Sequence, residues 1–135
     1  MMIVFQEGIP HDEAQILALY QEVGWTLYTR KPEKLLAGLR RSDVLAAYDQ
    51  ERLVGLIRAV TDGETILYIQ DLLVLPNYQR QNIGRTLLEK MIAAFPDVRQ
   101  KILLTDDQIQ SMSFYEACGF KQVGKTGGVA YGFSS

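Results

Sequence analysis

Apolar positions along this chain recur at two spacings, the alternation of strands and the three-to-four-residue step of helices, and the switches between them mark out the elements. Met2 to Gln6 predicts a short strand. Ile16, Leu19, Tyr20 and Val23 step at helical spacing, which predicts a helix from Asp12 to Glu22 ended by Gly24. Pro32 suits the first turn of a second helix that carries Leu35, Leu36 and Leu39 inward. Val44 to Tyr48 and Leu53 to Val60 read as strands around a tight turn at Asp49-Gln50. Asp62-Gly63 is a hairpin signal, followed by a strand from Thr65 to Leu75. Ile83, Leu87, Leu88, Met91, Ile92 and Phe95 lie on one face of the next helix, which Pro96 stops. Lys101 to Thr105 reads as a strand, Gln108 to Cys118 as a helix capped by Gly119, and Phe120 to Val123 and Val129 to Phe133 as closing strands.

This order, β-α-α-β-β-β-α-β-α-β-β, mixes strand-helix-strand units with hairpins. It predicts an α/β (α+β) chain with a mixed sheet and helices on both faces. No repeat, low-complexity tract or linker interrupts it, so residues 1–135 read as a single domain.

The run from Val74 to Arg85 carries the clearest chemistry. An apolar stretch ends at Pro76, a polar turn follows, and a helix begins. The N–H groups of a first helical turn have no partners inside the helix, and they carry the positive end of its dipole. Such a turn suits a phosphate, and Arg80 and Arg85 add charge-assisted hydrogen bonds. Gly84 costs about 1 kcal/mol relative to alanine in a helix, a cost that makes sense where another molecule approaches the backbone.

Composition narrows the classes. Hydrophobic residues at 47% and charged residues at 22% describe a globular chain rather than a disordered or fibrous one. A net charge of −2 gives no basic footprint for nucleic acid. The lone cysteine, Cys118, excludes an internal disulfide and suits a reducing compartment. No stretch approaches the roughly 18 apolar residues of a membrane span and no signal-peptide pattern opens the chain, so a cytoplasmic protein without a membrane partner is expected. No spacing of Cys, His, Asp or Glu suggests a metal site.

Three segments resemble the GNAT superfamily of N-acetyltransferases. In that family's pyrophosphate loop a strand ending in Val-x-Pro is followed by Gln/Arg-x-x-Gly-x-Gly/Ala. Val74, Pro76, Gln79 and Gly84 match, and Asn82 replaces the first glycine. Asparagine tolerates left-handed backbone angles, so the loop shape is expected to survive. Ser113-Phe114-Tyr115-Glu116-Ala117-Cys118-Gly119-Phe120 resembles the family's Phe-Tyr-Glu-x-x-Gly-Phe helix end, and Tyr68 to Val74 resembles its fourth strand, whose backbone pairs with pantetheine as though with an added strand.

The resemblance implies a mixed, mostly antiparallel sheet of roughly six to seven strands with about four helices on both faces. It also implies acetyl-coenzyme A as co-substrate, held by Leu72, Leu73, Val74, Gln79, Arg80, Gln81, Asn82, Ile83, Gly84, Arg85, Gln108 and Tyr115. Gln108 stands seven residues before Tyr115, where family members often carry an asparagine near the pantetheine arm. A homodimer is common in the superfamily, and Gly127-Gly128 with the strand after it offers a means of pairing.

Acetyl transfer to an amine expels a thiolate. A phenol of pKa about 10 protonates a thiolate of about 8.5 at a cost of roughly 2 kcal/mol, so Tyr115 is a plausible general acid; the alternative is a ring that closes the helix end. An alkylamine of pKa about 10.4 is neutral only about once in several thousand molecules at pH 7, so its proton must be taken. The resemblance implies an acidic residue or ordered water along the fourth strand as base, with Asp71 the nearest candidate; the alternative is that Asp71 only satisfies backbone groups beside an irregular strand. Trp25 and Tyr28, between the first two helices, either line an acceptor pocket or plug the core. Arg30 and Arg58 either meet a carboxylate on the acceptor or only solvate. His11 reads as a surface or capping residue and Cys118 as a small buried thiol.

The reading that results is transfer of an acetyl group to the primary amine of a small molecule. A non-catalytic coenzyme A-binding regulatory module is the alternative, although it would have no use for Tyr115. An unrelated α/β domain that binds another phosphate is the third.

Overall fold

Each reversal of the chain is built by a residue suited to a turn. In the computed structural model, which describes residues 2–134, β1 (Ile3–Glu7) leads through Gly8 to α1 (Glu13–Glu22). Asp12 caps α1, its carboxylate accepting from the N–H groups of Ala14 at 3.1 Å and Gln15 at 3.4 Å. Gly24 ends it at φ +87°, a left-handed angle that glycine adopts at little cost. A single-turn helix α2 (Thr26–Thr29) follows, then α3 (Pro32–Arg40) with proline in its first turn.

Three strands then form a meander: β2 (Asp43–Asp49), β3 (Arg52–Thr61) and β4 (Ile66–Val74). The β3–β4 connection is wider than the two-residue hairpin that Asp62-Gly63 suggests. Asp62 organises it, accepting from the N–H groups of Glu64 at 2.9 Å, Thr65 at 2.8 Å and Ile66 at 3.2 Å, and from the Thr65 hydroxyl at 2.6 Å. The bonds from Thr65 above all hold its carboxyl well below the usual range. α4 (Ile83–Ala93) and β5 (Gln100–Leu103) complete the first of two compact units, which ends at Leu104.

The sheet runs β1-β2-β3-β4-β5, antiparallel throughout except for the parallel β4–β5 pair. Gly55 and Arg58 lie three positions apart on β3 and so point to opposite faces. A Cβ on Gly55 would stand 3.2 Å from Leu87 Cδ1 and 3.3 Å from Ile83 Cγ2, so α4 rests closely on that face. A Cβ on Gly38 of α3 would stand 2.9 Å from Arg58 Nη1, which puts α3 over the other face. Ile16, Leu19, Tyr20, Leu35, Leu36 and Leu39 supply the core from α1 and α3, and Ile83, Leu87, Leu88 and Met91 supply it from α4. Among the described residues no helix is long and apolar enough to cross a membrane.

The second unit begins at Thr105 and contains α5 (Ile109–Ala117). Its end is closed by the Gly119 N–H on the Glu116 carbonyl and the Phe120 N–H on the Tyr115 carbonyl, both at 3.0 Å, with Gly119 at φ +96°. Here the structure corrects the sequence reading. The described residues form five strands rather than six to seven, because neither Phe120–Val123 nor Val129–Phe133 pairs into the sheet. Val123–Thr126 curls into a tight 3₁₀ turn instead. The Val123 carbonyl accepts the Thr126 hydroxyl at 2.9 Å and the Gly128 N–H at 3.1 Å, and Gly127 takes φ +93°. Beyond it the alternation of Val129, Tyr131 and Phe133 meets no buried face, and these side chains are 73%, 94% and 96% exposed. Among the described residues the helices number five rather than about four, because α2 forms between the first two expected helices.

Candidate active site

The two edges of β4 differ. One pairs with β3 from Leu67 to Val74. On the other, β5 pairs only with Ile66 to Ile69, so from Gln70 to Val74 that edge carries no strand among the described residues. The two strands part like a fork, and the open arm leads into the turn after Leu75.

A bulge sits at the fork. Arg58 pairs with Asp71 and Ala59 with Ile69, which leaves Gln70 with no partner on β3. One extra residue exchanges the faces of all that follows. Asp71 therefore shares the face of Arg58, under α1 to α3. Only 1% of Asp71 and 7% of Arg58 is exposed.

These two charges are the centre of a closed network. Arg58 Nε donates to Asp71 Oδ2 at 2.7 Å, and the Tyr20 hydroxyl donates to the same oxygen at 2.8 Å. The Tyr28 hydroxyl donates to Asp71 Oδ1 at 2.9 Å. Tyr28 in turn accepts from Arg58 Nη2 at 3.1 Å and Gln70 Nε2 at 3.0 Å. Three of the roughly four acceptor positions of the Asp71 carboxylate are thus taken. Burial works against the Arg58 charge, but Asp71 and the tyrosine hydroxyls carry its pKa above the ordinary value. Burial, and then the Asp71 charge, pushes the Tyr20 hydroxyl far above the phenol range. Burial likewise raises Tyr28.

The segment around α2 is fastened by the same groups. The Tyr28 ring lies 5.2 Å from Tyr20 and 6.2 Å from Trp25, and the Trp25 and Tyr20 rings are 6.1 Å apart. Trp25 keeps 37% of its surface exposed. The two aromatics named from the sequence are therefore neighbours, with Tyr28 bound into the network and Trp25 facing solvent.

At the far end of the open edge the turn has the shape that the Asn82 substitution called for. Asn82 is left-handed at φ +65°, and so, unforeseen from sequence, is Arg80 at φ +64°. Such angles cost roughly 1–2 kcal/mol outside glycine. Asn82 followed by helical Ile83 curls successive N–H groups into a concavity suited to an anion. No side chain caps α4, and its first intrahelical bond runs from the Thr86 N–H to the Asn82 carbonyl at 3.0 Å. The N–H groups of Ile83, Gly84 and Arg85 precede that bond and are left for a ligand.

Side chains brace this turn. Gln79 Nε2 donates to the Val74 carbonyl at 3.0 Å, and the Tyr78 hydroxyl donates to Asp49 Oδ2 at 2.7 Å. Gln81 Nε2 reaches toward the Asn77 carbonyl at 3.5 Å, and Arg85 Nε lies 3.4 Å from Glu89 Oε2. Ile83 and Leu73 bury their side chains, and Leu72 and Val74 are half-buried.

Gln108 and Tyr115 belong to the second unit. Gln108 is exposed at the N-terminus of α5, its N–H bound to Asp106 Oδ1 at 3.0 Å. Tyr115 lies 5.0 Å from the Phe114 ring and 6.0 Å from the Phe120 ring, edge-on to both. Burial, aided by Cys118 and Asp106, pushes its hydroxyl up to about 12. Among the described residues no cluster of His, Cys, Asp and Glu is arranged to hold a metal ion.

Tyr20 reads as a core residue from its spacing, and its hydroxyl on Asp71 adds what spacing cannot carry. Arg58, expected either at a carboxylate of the acceptor or in solvent, binds Asp71 instead. The signal was available: a lone arginine and a lone aspartate interrupt two apolar strands joined by one hairpin. Gln70 had no such signal, because its position depends on a bulge that no residue type announces.

Residues 12–120 match the family model described as Acetyltransferase (GNAT) family. The chain is 34% identical over 134 residues to histone acetyltransferase TAP1 of Glycine max, covering 88% of this chain and 56% of that protein. It is 29% identical over 143 residues to GCN5-related N-acetyltransferase 2, chloroplastic, of Arabidopsis thaliana, covering 88% and 54%. The chain thus spans about half the length of these curated relatives. A solved GNAT-family acetyltransferase from Streptococcus pneumoniae TIGR4 is similar with a TM-score of 0.88 and 32% identity, over 99% of this chain and 98% of that one.

Proposed function

Because the chain belongs to the GNAT acetyltransferase family, we propose that it moves the acetyl group of acetyl-coenzyme A directly onto the primary amine of a small molecule. Acyl transfer from acetyl-coenzyme A is the activity of the family. The observation that carries the placement of the donor is the open edge of β4, continuous from the fork at Gln70 to the left-handed turn at Arg80 and Asn82. The pyrophosphate takes the amides of Ile83, Gly84 and Arg85, with Arg80 and Arg85 adding charge. The pantetheine arm lies along Leu72 to Val74 as an added strand, so the acetyl group is delivered toward Gln70.

Tyr115 donates the proton to the departing thiolate. Its hydroxyl, at about 12, stays protonated across the neutral range. Complete transfer to a thiolate of pKa about 8.5 is then uphill by about 5 kcal/mol, and a hydrogen bond that strengthens as charge reaches sulfur supplies part of the stabilisation. Asp71, with three donors on it, anchors Arg58 and Tyr28 rather than serving as base, and the proton of the amine leaves to water. Trp25 and Tyr28 flank the acceptor.

A second reading, transfer to a lysine amine of a protein, is favoured by the name of the Glycine max relative. Acetyl-coenzyme A consumption with aralkylamines, polyamines, aminoglycosides, amino acids and a lysine peptide separates the two. A higher kcat/KM for a small amine supports the first reading and a higher value for the peptide supports the second. Intact coenzyme A binding with no transfer to any acceptor would overturn both.

A further inference from the structure

The polarity of the hydrogen bonds at Tyr28 fixes which way the Gln70 amide faces. Tyr28 has one hydroxyl hydrogen, and the Asp71 carboxylate, which can only accept, takes it at 2.9 Å. The Tyr28 oxygen then accepts from Arg58 Nη2 at 3.1 Å and from Gln70 at 3.0 Å. Gln70 must present its NH2 there, because its carbonyl would meet an oxygen with no hydrogen left to give. Oε1 is thereby turned away from Tyr28, and among the described residues no donor is bound to it. Gln70 is also exposed and is the one residue of the β4 fork paired with neither β3 nor β5.

We propose that Gln70 is a specificity residue for the acceptor, its Oε1 accepting a hydrogen bond from the N–H of the incoming amine at the fork of β4 and β5. This rests on the donor placement proposed above. The open edge has two ends; with the pyrophosphate on the turn, the reacting carbon lies toward the other, and the amine must reach it there. An amine leaving water needs an acceptor for each N–H it turns inward. Gln70 offers one without taking a proton, since an amide is no base at neutral pH. The bonds from amine to Gln70, to Tyr28 and to Asp71 polarise one another in a single direction. The network thus orients the nitrogen lone pair by holding one of its hydrogens.

The test is steady-state kinetics of Gln70→Leu and Tyr28→Phe with whichever probe, butylamine, phenethylamine, spermidine or a lysine peptide, the wild-type chain acetylates fastest. Leucine fills nearly the same space at an exposed position, so a packing role predicts little change. For Gln70→Leu, kcat/KM for the amine should fall about 10- to 100-fold. KM for acetyl-coenzyme A and the slow hydrolysis of acetyl-coenzyme A by water should stay at wild-type values. Tyr28→Phe, which frees the amide to rotate, should lower the same amine parameter. Wild-type kcat/KM in Gln70→Leu would overturn the proposal while leaving the acetyltransferase reading intact. Equal losses of transfer and hydrolysis would overturn it too, by tracing the defect to the donor. No transfer by the wild-type control would overturn the proposed function, and the role of Gln70 with it.

Discussion

Arg58 and Asp71 meet at 2.7 Å because β4 holds one more residue than β3 opposite them. Were Gln70 to pair with Arg58 in an unbroken register, Asp71 would fall opposite Ile57 and point toward α4, into a face lined by Ile83 and Leu87, and Arg58 would be buried with no counter-charge. The pair is a consequence of register as much as of residue type.

Removing either partner leaves a charge or its donors buried without relief. Asp71→Asn and Arg58→Met should each lower stability by about 3–5 kcal/mol. The double variant should lose less than the sum, with a coupling of about 2–3 kcal/mol, because neither charge is then stranded. Urea denaturation of all four proteins measures the cycle, and strict additivity would refute the network.

Gly38→Ala tests the same contact from the helix side. Alanine should stabilise α3 by about 1 kcal/mol from propensity alone. Its Cβ, however, would stand 2.9 Å from Arg58 Nη1, a group held in place by Asp71 and Tyr28. The substitution should therefore destabilise the wild type and stabilise the Arg58→Met background. Thermal melts that show the same sign in both backgrounds would rule out the clash.

Tyr115→Phe should lower kcat by about 10²–10⁴-fold with little change in coenzyme A affinity, provided chemistry limits turnover. It should also alter alkaline stability. Burial raises the folded-state pKa of Tyr115 to about 12, above an unfolded value of about 10. Its contribution is therefore full below pH 10 and is lost as pH rises from about 10 toward 12. Wild type should lose stability more steeply than Tyr115→Phe across that window, as denaturant midpoints would report.

The phosphate turn should respond to backbone shape. Asn82→Gly relieves a left-handed strain of roughly 1–2 kcal/mol but adds unfolded-state freedom of about 0.4–1 kcal/mol, so stability should hardly move. Asn82→Val, β-branched at φ +65°, should weaken coenzyme A binding about tenfold or more. Calorimetry on the two folded variants decides; equal affinities would place the pyrophosphate elsewhere.

Much of this was legible because local chemistry agrees with global structure. Asp12, Gly24, Pro32 and Gly119 bound helices where their backbone preferences say they should, and Asn82 takes the angle that justified accepting it for glycine. The failures share one cause. Val129, Tyr131 and Phe133 alternate like a strand, but alternation guarantees neither a partner edge nor a buried face. Gln70 and the face of Asp71 were hidden because a bulge is a property of two strands together, while the pattern of either strand alone is unchanged by it.

Trp25 gives the protein an optical reporter of its own. It is the single tryptophan of the chain, and it lies against Tyr20 and Tyr28 with 37% of its surface in water. Its fluorescence therefore reads one place only, the segment fastened to β4 through Tyr28. A ligand that covers the indole should shift its emission to the blue, whereas coenzyme A settling on the turn at Asn82 should leave it largely unchanged. Titrated in either order, without label or coupled enzyme, the two ligands would reveal whether the acceptor side waits for the donor or is ready before it arrives.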